Sequence, residues 1–214
     1  MKSAVIILAA GMGTRMKSEL PKVLHKVACV PLLIHSIQTA LDIDAQKIII
    51  VAGHCADLVK AAALDYNQKA QIVIQSEQLG TAHAVDQARE TLEDFDGDVF
   101  VLYGDTPFIN ADILSEMTKA RTNGASVVVL GFDTEIPSGY GRLIVNLDGS
   151  LNAIIEEKDA DDDQKSINFC NSGVICAPRE LLFELISEID DTNANSEYYL
   201  TDIVKLARKR NLDC

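Results

Sequence analysis

The chemistry-bearing residues of this chain begin with the string "LAAGMGTRMKSELPKVL", residues 8–24. An apolar run leads into Gly11 and Gly13, and Arg15, Lys17 and Lys22 follow at once. Glycines open backbone conformations closed to other residues and leave room for a ligand against the chain. Free N–H groups in such a loop form a concavity for anions. Arg15 offers a planar fork and Lys22 a point charge, with Pro21 stiffening the chain just before Lys22. The dinucleotide pattern G-x-G-x-x-G fails because Met16 holds its third glycine position, and no G-x-x-x-x-G-K-[ST] loop occurs. The string reads either as an anion grip or as an ordinary strand-to-helix loop with surface charges.

Further candidates follow along the chain. "QSEQLGTAHA" (75–84) carries Gln75, whose amide both donates and accepts, Gly80, and Thr81 as an N-cap candidate. It suits the edge of a pyrimidine base, or it is a polar loop with a helix cap. "LYGDTPFI" (102–109) places Asp105 where ligands bind an α/β sheet. One carboxylate there suits Mg²⁺, which completes its shell with substrate phosphate oxygens, or it caps a turn. Glu156 in "IIEEK" is an acceptor for hydroxyls or a solvated side chain, and Asn171 in "CNSGV" needs a hydrogen bond if buried. His83 reads as a helix-face residue. No Ser/His/Asp or Cys/His set is visible.

Something must position these groups. The apolar runs at 4–10, 47–53, 70–75, 98–105 and 125–132 are nearly continuous, and amphipathic segments at 31–43, 54–66, 81–93 and 110–122 separate them. That alternation predicts an α/β fold with a mostly parallel sheet covered on both faces. After residue 133 the rhythm changes. A hairpin around Asp148-Gly149, a strand over 167–178 and helices near 178–190 and 198–209 predict an appended antiparallel portion. "DADDD" (159–163) lacks the glycine and distal glutamate of a calcium loop and reads as a solvated loop or helix start.

Composition excludes several classes. The net charge of −13 opposes nucleic-acid binding, so an anionic ligand needs the local basic island at 15–26. No apolar run reaches the ~20 residues that span a bilayer. The run Ala4–Ala10 is short for a secretory signal and reads as a buried strand. Five scattered cysteines without a CxxC pair suggest neither zinc nor a disulfide framework, and fit a reducing cytoplasm.

The ordered set L-A-A-G-x-G-T-R-M…P-K, "SEQLGTAHA", "LYGDTPFI", "SGYGRLI", "IIEEKDA", "NFCNSGV" and "NSEYYLTDI" resembles the sugar-1-phosphate nucleotidyltransferases. Within them it is most similar to the N-terminal uridylyltransferase domain of the bifunctional N-acetylglucosamine-1-phosphate uridylyltransferase/glucosamine-1-phosphate acetyltransferases. The resemblance implies a Rossmann-like three-layer αβα fold. It implies Mg²⁺-dependent transfer from UTP to N-acetylglucosamine 1-phosphate, in the cytoplasm, for cell-envelope precursors. It assigns Arg15, Lys22 and Asp105 to catalysis, with Asp105 as metal ligand. Leu8, Ala9, Ala10, Gly11, Gly13, Lys22, Gln75, Gly80 and Thr81 take the nucleotide. Tyr103, Gly104, Gly141, Glu156, Asn171, Tyr199 and Thr201 take the sugar. Ala82 and Glu157 depart from the family's usual Gly and His. The second family metal ligand, an Asn, and the hexapeptide-repeat acetyltransferase domain fall beyond residue 214. The expectation is one shortened nucleotidyltransferase domain over 1–214, monomeric where the longer family members are trimeric, with small-molecule substrates and neither nucleic acid nor membrane as partner. A transferase for another nucleotide or sugar, and a UTP- or UDP-sugar-binding module without turnover, are the alternative readings.

Overall fold

The computed structural model describes residues 2–11, 13, 16 and 18–214. Strand β1 (Ser3–Ala9) enters the glycine loop. A 3-10 turn at Lys22–Leu24 and a small ribbon of β2 (Lys26–Val27) and β3 (Val30–Pro31) lead to α1 (Leu32–Asp42). Next come β4 (Lys47–Ala52), α2 (Ala56–Tyr66), β5 (Gln71–Ile74), α3 (Thr81–Asp86), β6 (Asp98–Tyr103) and α4 (Ala111–Thr122). The second part holds β7 (Val128–Asp133), the hairpin β8 (Arg142–Val145) and β9 (Leu151–Ile155), and α5 (Asp162–Lys165). It closes with β10 (Phe169–Pro178), α6 (Arg179–Ile186) and α7 (Asp202–Lys209).

The main sheet runs β5-β4-β1-β6-β10-β8-β9, with β7 also paired to β10. β5, β4, β1 and β6 are parallel neighbours. The continuous Val/Ile/Leu composition of β4, β1 and β6 follows from burial on both faces, while β5 is the partly exposed edge. In β1, Ala4, Ile6 and Leu8 point into the core under α3, α6 and α7. Val5, Ile7 and Ala9 point into the core under α1, α2 and α4. Ile6 and Ile7 are fully buried, and each such side chain contributes about 1.5–3 kcal/mol. The expected three-layer α/β class is present, with its antiparallel strands.

Three details differ from expectation. The run at 125–132 does not continue the parallel row, because β10 inserts antiparallel between it and β6. The helix expected over 81–93 is α-helical only to Asp86. Its backbone then tightens to i→i+3 bonds at Gln87, Ala88 and Arg89. There the Arg89 guanidinium crosses to the Phe183 carbonyl and the Ser187 hydroxyl at the end of α6. The helix expected from 198 begins at Asp202, because the Tyr198 backbone is engaged by the loop at 79–82. The hairpin turn around Asp148-Gly149 forms as expected, and "DADDD" opens α5 with a capping box between Asp161 and Gln164.

Candidate active site

The glycine loop, the 75–81 loop and Asp105 all follow the carboxyl ends of β1, β5 and β6, so the parallel sheet brings them to one edge. They enclose a cavity of about 580 Å³, within the usual size for a small-molecule site. Leu8, Ala9, Ala10, Gly11, Gly13, Lys22, Gln75, Gly80, Thr81, Tyr103 and Asp105 line it. All the residues assigned to the nucleotide are therefore gathered there. Arg15 lies outside the described residues.

Gly13 shows why the loop needs glycine. Its φ is +59°, and a Cβ on it would sit 2.9 Å from the Lys22 Cβ. The loop thus packs directly on the stem of Lys22. Beyond Pro21, the Lys22 ammonium lies 2.5 Å from Asp105 Oδ2, and both side chains keep access to the cavity.

The 75–81 loop is fixed from two directions. The Gln75 amide nitrogen donates to the Gly80 carbonyl at 3.1 Å and meets His83 Nδ1 at 3.1 Å. Since a carbonyl only accepts, the orientation of the amide is settled, and its oxygen remains for a ligand's donor. His83 thereby supports the Gln75 amide. Across the loop, Tyr198 N–H donates to the Leu79 carbonyl at 2.8 Å and Ala82 N–H to the Tyr198 carbonyl at 2.9 Å. Thr81 is not the N-cap. Gly80 holds that position with φ +119°, and the Thr81 hydroxyl oxygen accepts from Leu200 N–H at 2.9 Å.

The residues assigned to the sugar divide. Tyr103 faces the main cavity. Burial pushes its hydroxyl well above the normal range, reinforced by the nearby Glu156 and Asp105 carboxylates, so it stays protonated. Glu156, Tyr199 and Thr201 line a hollow of about 220 Å³ between β9 and α7. Thr201 Oγ1 donates to Glu156 Oε1 at 3.2 Å, while burial raises the Glu156 carboxyl above its usual value. Asn171 and Gly141 line neither hollow but are joined, Asn171 N–H donating to the Gly141 carbonyl at 2.8 Å. Gly104 N–H donates to the Leu8 carbonyl at 2.9 Å, and a Cβ built on Gly104 would lie 3.2 Å from Val23 and 3.4 Å from Leu33. Gln78 and Glu197 also line the main cavity, unassigned from the sequence. Gln78 stands inside "QSEQLGT" as a second amide, and Glu197 just before Tyr198 in "NSEYYL", so the sequence signal for both is their place in these two strings.

The profile of the MobA-like NTP transferase domain matches residues 5–193, most of the length described above. The chain belongs to this family. It is similar to the bifunctional protein GlmU of Ruegeria pomeroyi, with 52% identity over 99% of this chain and 47% of the relative. It is also similar to the bifunctional protein GlmU of Cereibacter sphaeroides strain ATCC 17025, with 50% identity over 98% of this chain and 46% of the relative. The chain thus spans about half the length of the curated relatives it matches. The structure of a UDP-glucose pyrophosphorylase complexed with UDP-glucose superposes with a TM-score of 0.78 at 19% identity, over 98% of this chain and 88% of that one. At that identity the likeness concerns the fold. The Gly11–Gly13 loop, Lys22 and Asp105 of this NTP transferase domain all fall within the family match.

Proposed function

We propose that this domain transfers a uridylyl group from UTP to N-acetylglucosamine 1-phosphate, giving UDP-N-acetylglucosamine and pyrophosphate. The observation that carries the reading is the Lys22–Asp105 pair at 2.5 Å beside the glycine loop. An anion-gripping cation and a carboxylate share one wall of the cavity, and a fixed Gln75 amide stands in another. The similarity to bifunctional GlmU proteins supports the choice of substrates.

In this reading the Gln75 amide oxygen accepts from uracil N3–H. Cytosine offers an acceptor at that position, so the same arrangement disfavours CTP. Backbone N–H groups of the glycine loop cradle the phosphates. A phosphate oxygen of the sugar 1-phosphate attacks the α-phosphorus in line. The new P–O bond forms as the bond to the β-phosphate's bridging oxygen breaks, and pyrophosphate leaves. No protein nucleophile is required, because positioning and charge stabilisation supply the rate. Lys22 neutralises charge on the transferring group and the leaving pyrophosphate, with Arg15 assigned the same task. Asp105 fits Mg²⁺. Among the described residues no three His, Cys, Asp or Glu side chains converge as a metal cage, and Mg²⁺ takes one or two carboxylates plus phosphate oxygens. When bound, the ion supplies charge neutralisation and a template for the two phosphates.

Glu156, held by Thr201, accepts from hexose hydroxyls. Asn171, Gly141, Tyr199 and Thr201 complete the sugar half, and Tyr103 donates from its protonated hydroxyl. The reaction takes place in the cytoplasm, and its product feeds cell-envelope precursors.

The test is pyrophosphate release with Mg²⁺. UTP, CTP, dTTP and GTP are crossed against N-acetylglucosamine 1-phosphate, glucosamine 1-phosphate and glucose 1-phosphate. Release confined to UTP with N-acetylglucosamine 1-phosphate is expected. Release from a different pair overturns the substrate assignment, and silence with UTP still bound overturns the activity for this chain.

A further inference from the structure

Arg142 opens β8 and is only 1% exposed. Its backbone sits opposite Ile155 of β9 and Cys170 of β10, so Glu156 and Asn171 are each one residue beyond its partners. The guanidinium donates to the Tyr140 carbonyl and, at 3.2 Å, to the Lys165 carbonyl, and it pairs with Glu157 at 2.7 Å. One cation therefore ties together the loop before β8, the turn after β9 and the end of α5. Two of those segments carry Gly141 and Glu156. The two residues face each other closely, since a Cβ built on Gly141 would lie 3.4 Å from Glu156 Oε2. The Gly141 carbonyl is in turn held by Asn171 N–H.

A buried guanidinium is a poor source of stability. Its desolvation is costly, its carboxylate partner is about a third exposed, and its Nε finds no acceptor. Apolar side chains would fill such a seat at less cost. A planar fork is, however, well suited to fixing several acceptors at set angles. Neither Arg142 nor Glu157 lines the nucleotide cavity.

We propose that Arg142 is a positioning residue for the sugar half of the site: anchored by Glu157, its guanidinium sets the spacing between the Gly141 backbone and the Glu156 carboxylate that hold the hexose. The proposal rests on the functional reading that Gly141 and Glu156 bind the sugar. It makes Glu157 the exposed end of the device, and it separates sugar affinity from nucleotide affinity.

The experiment is isothermal titration of the chain with UTP and, separately, with UDP-N-acetylglucosamine. Glu157→Gln should weaken the UDP-sugar about tenfold and leave UTP within about twofold, a difference of roughly 1.4 kcal/mol. Arg142→Lys, which keeps the charge but not the fork, should weaken the UDP-sugar further. A double-mutant cycle decides whether the device acts through Glu156. Glu157→Gln added to Glu156→Ala should cost little more than Glu156→Ala alone, whereas a general structural role would make the two losses add. If Arg142→Lys fails to fold by circular dichroism, Glu157→Gln and the cycle decide. Equal weakening of both ligands, full additivity, or no change in Glu157→Gln overturns the inference alone. A wild-type chain that binds UTP but not the UDP-sugar overturns the functional reading and the inference with it.

Discussion

The Lys22 ammonium meets the Asp105 carboxylate at 2.5 Å, although one follows Pro21 in the first loop and the other stands just beyond the end of β6. The side chains are 44% and 24% exposed, so the pair contributes at most about 1 kcal/mol to stability. In the proposed reaction its weight falls on charge stabilisation instead. Lys22→Ala should lower kcat by about 10²–10³-fold, the scale of losing one preorganised electrostatic group, while thermal unfolding stays close to wild type. Asp105→Ala should abolish the response of pyrophosphate release to added Mg²⁺. A Lys22→Ala protein with wild-type kcat would remove the pair from the mechanism.

Base selection should depend on the Gln75 amide and on the side chain behind it. Gln75→Leu removes the acceptor for uracil N3–H, and kcat/KM for UTP should fall by about 10–100-fold. CTP, which gains nothing from that acceptor, should change little. His83→Leu frees one of the two contacts fixing the amide, so the UTP-to-CTP ratio should fall by a smaller factor. Competition between the two nucleotides in one assay reads both effects. A ratio that stays constant in Gln75→Leu would move base recognition to another residue, with Gln78 the neighbouring amide.

Much of this site was legible because local chemistry and sheet position agree. Gly11, Gly13, Gln75, Gly80 and Asp105 stand just after apolar runs, and in a parallel sheet such positions converge on one edge. Strand order was less legible. β7 and β10 are both apolar runs, and nothing in their composition says that β10 lies between β6 and β7. The role of Thr81 was hidden for a related reason. A threonine before a helical pattern signals a cap, but here a segment more than a hundred residues away supplies Leu200 N–H to its hydroxyl. Arg142 gave no signal at all, because a lone arginine in "GRLIV" looks like a surface charge until the fold buries it.

The contact between the 79–82 loop and Tyr198 makes Gly80 a demanding glycine in the cavity wall. Its φ of +119° disfavours any side chain, and an added Cβ would fall 2.5 Å from the Tyr198 carbonyl oxygen. Gly80→Ala should therefore combine backbone strain of about 1–3 kcal/mol with displacement of the 197–201 segment. Gly149 provides the control. Its φ is +87° but nothing lies within 4 Å of a built Cβ, so Gly149→Ala carries strain alone. Thermal melts should place Gly80→Ala below Gly149→Ala. Titrations should show UTP and UDP-N-acetylglucosamine both weakened in Gly80→Ala and neither in Gly149→Ala. Equal melting temperatures for the two variants would mean that the Tyr198 backbone yields freely.

Glu156 should trade stability for binding in a pH-dependent way. Burial, first, and the negative Asp159, Asp202 and Glu197 raise its carboxyl above the usual 4.5, against the lowering effect of the Thr201 hydroxyl. A carboxyl raised in the folded state contributes stability below its unfolded value and loses it as pH rises through the folded value. Above the folded-state value the ionised, partly desolvated carboxylate is therefore a cost, and Glu156→Gln should raise the melting temperature there. As pH falls below the usual carboxyl value, the gain should shrink toward zero. Glu157 has the opposite sign. Arg142 holds its carboxyl below the usual value, so its contribution is present above that value and fades as pH falls. Scanning calorimetry of wild type, Glu156→Gln and Glu157→Gln at pH 7 and pH 4 tests both signs, and titration with UDP-N-acetylglucosamine at pH 7 should show Glu156→Gln binding more weakly. The same melting difference for Glu156→Gln at both pH values would mean that Glu156 titrates as a solvated carboxyl, and the buried acceptor for the hexose hydroxyls would have to be sought elsewhere.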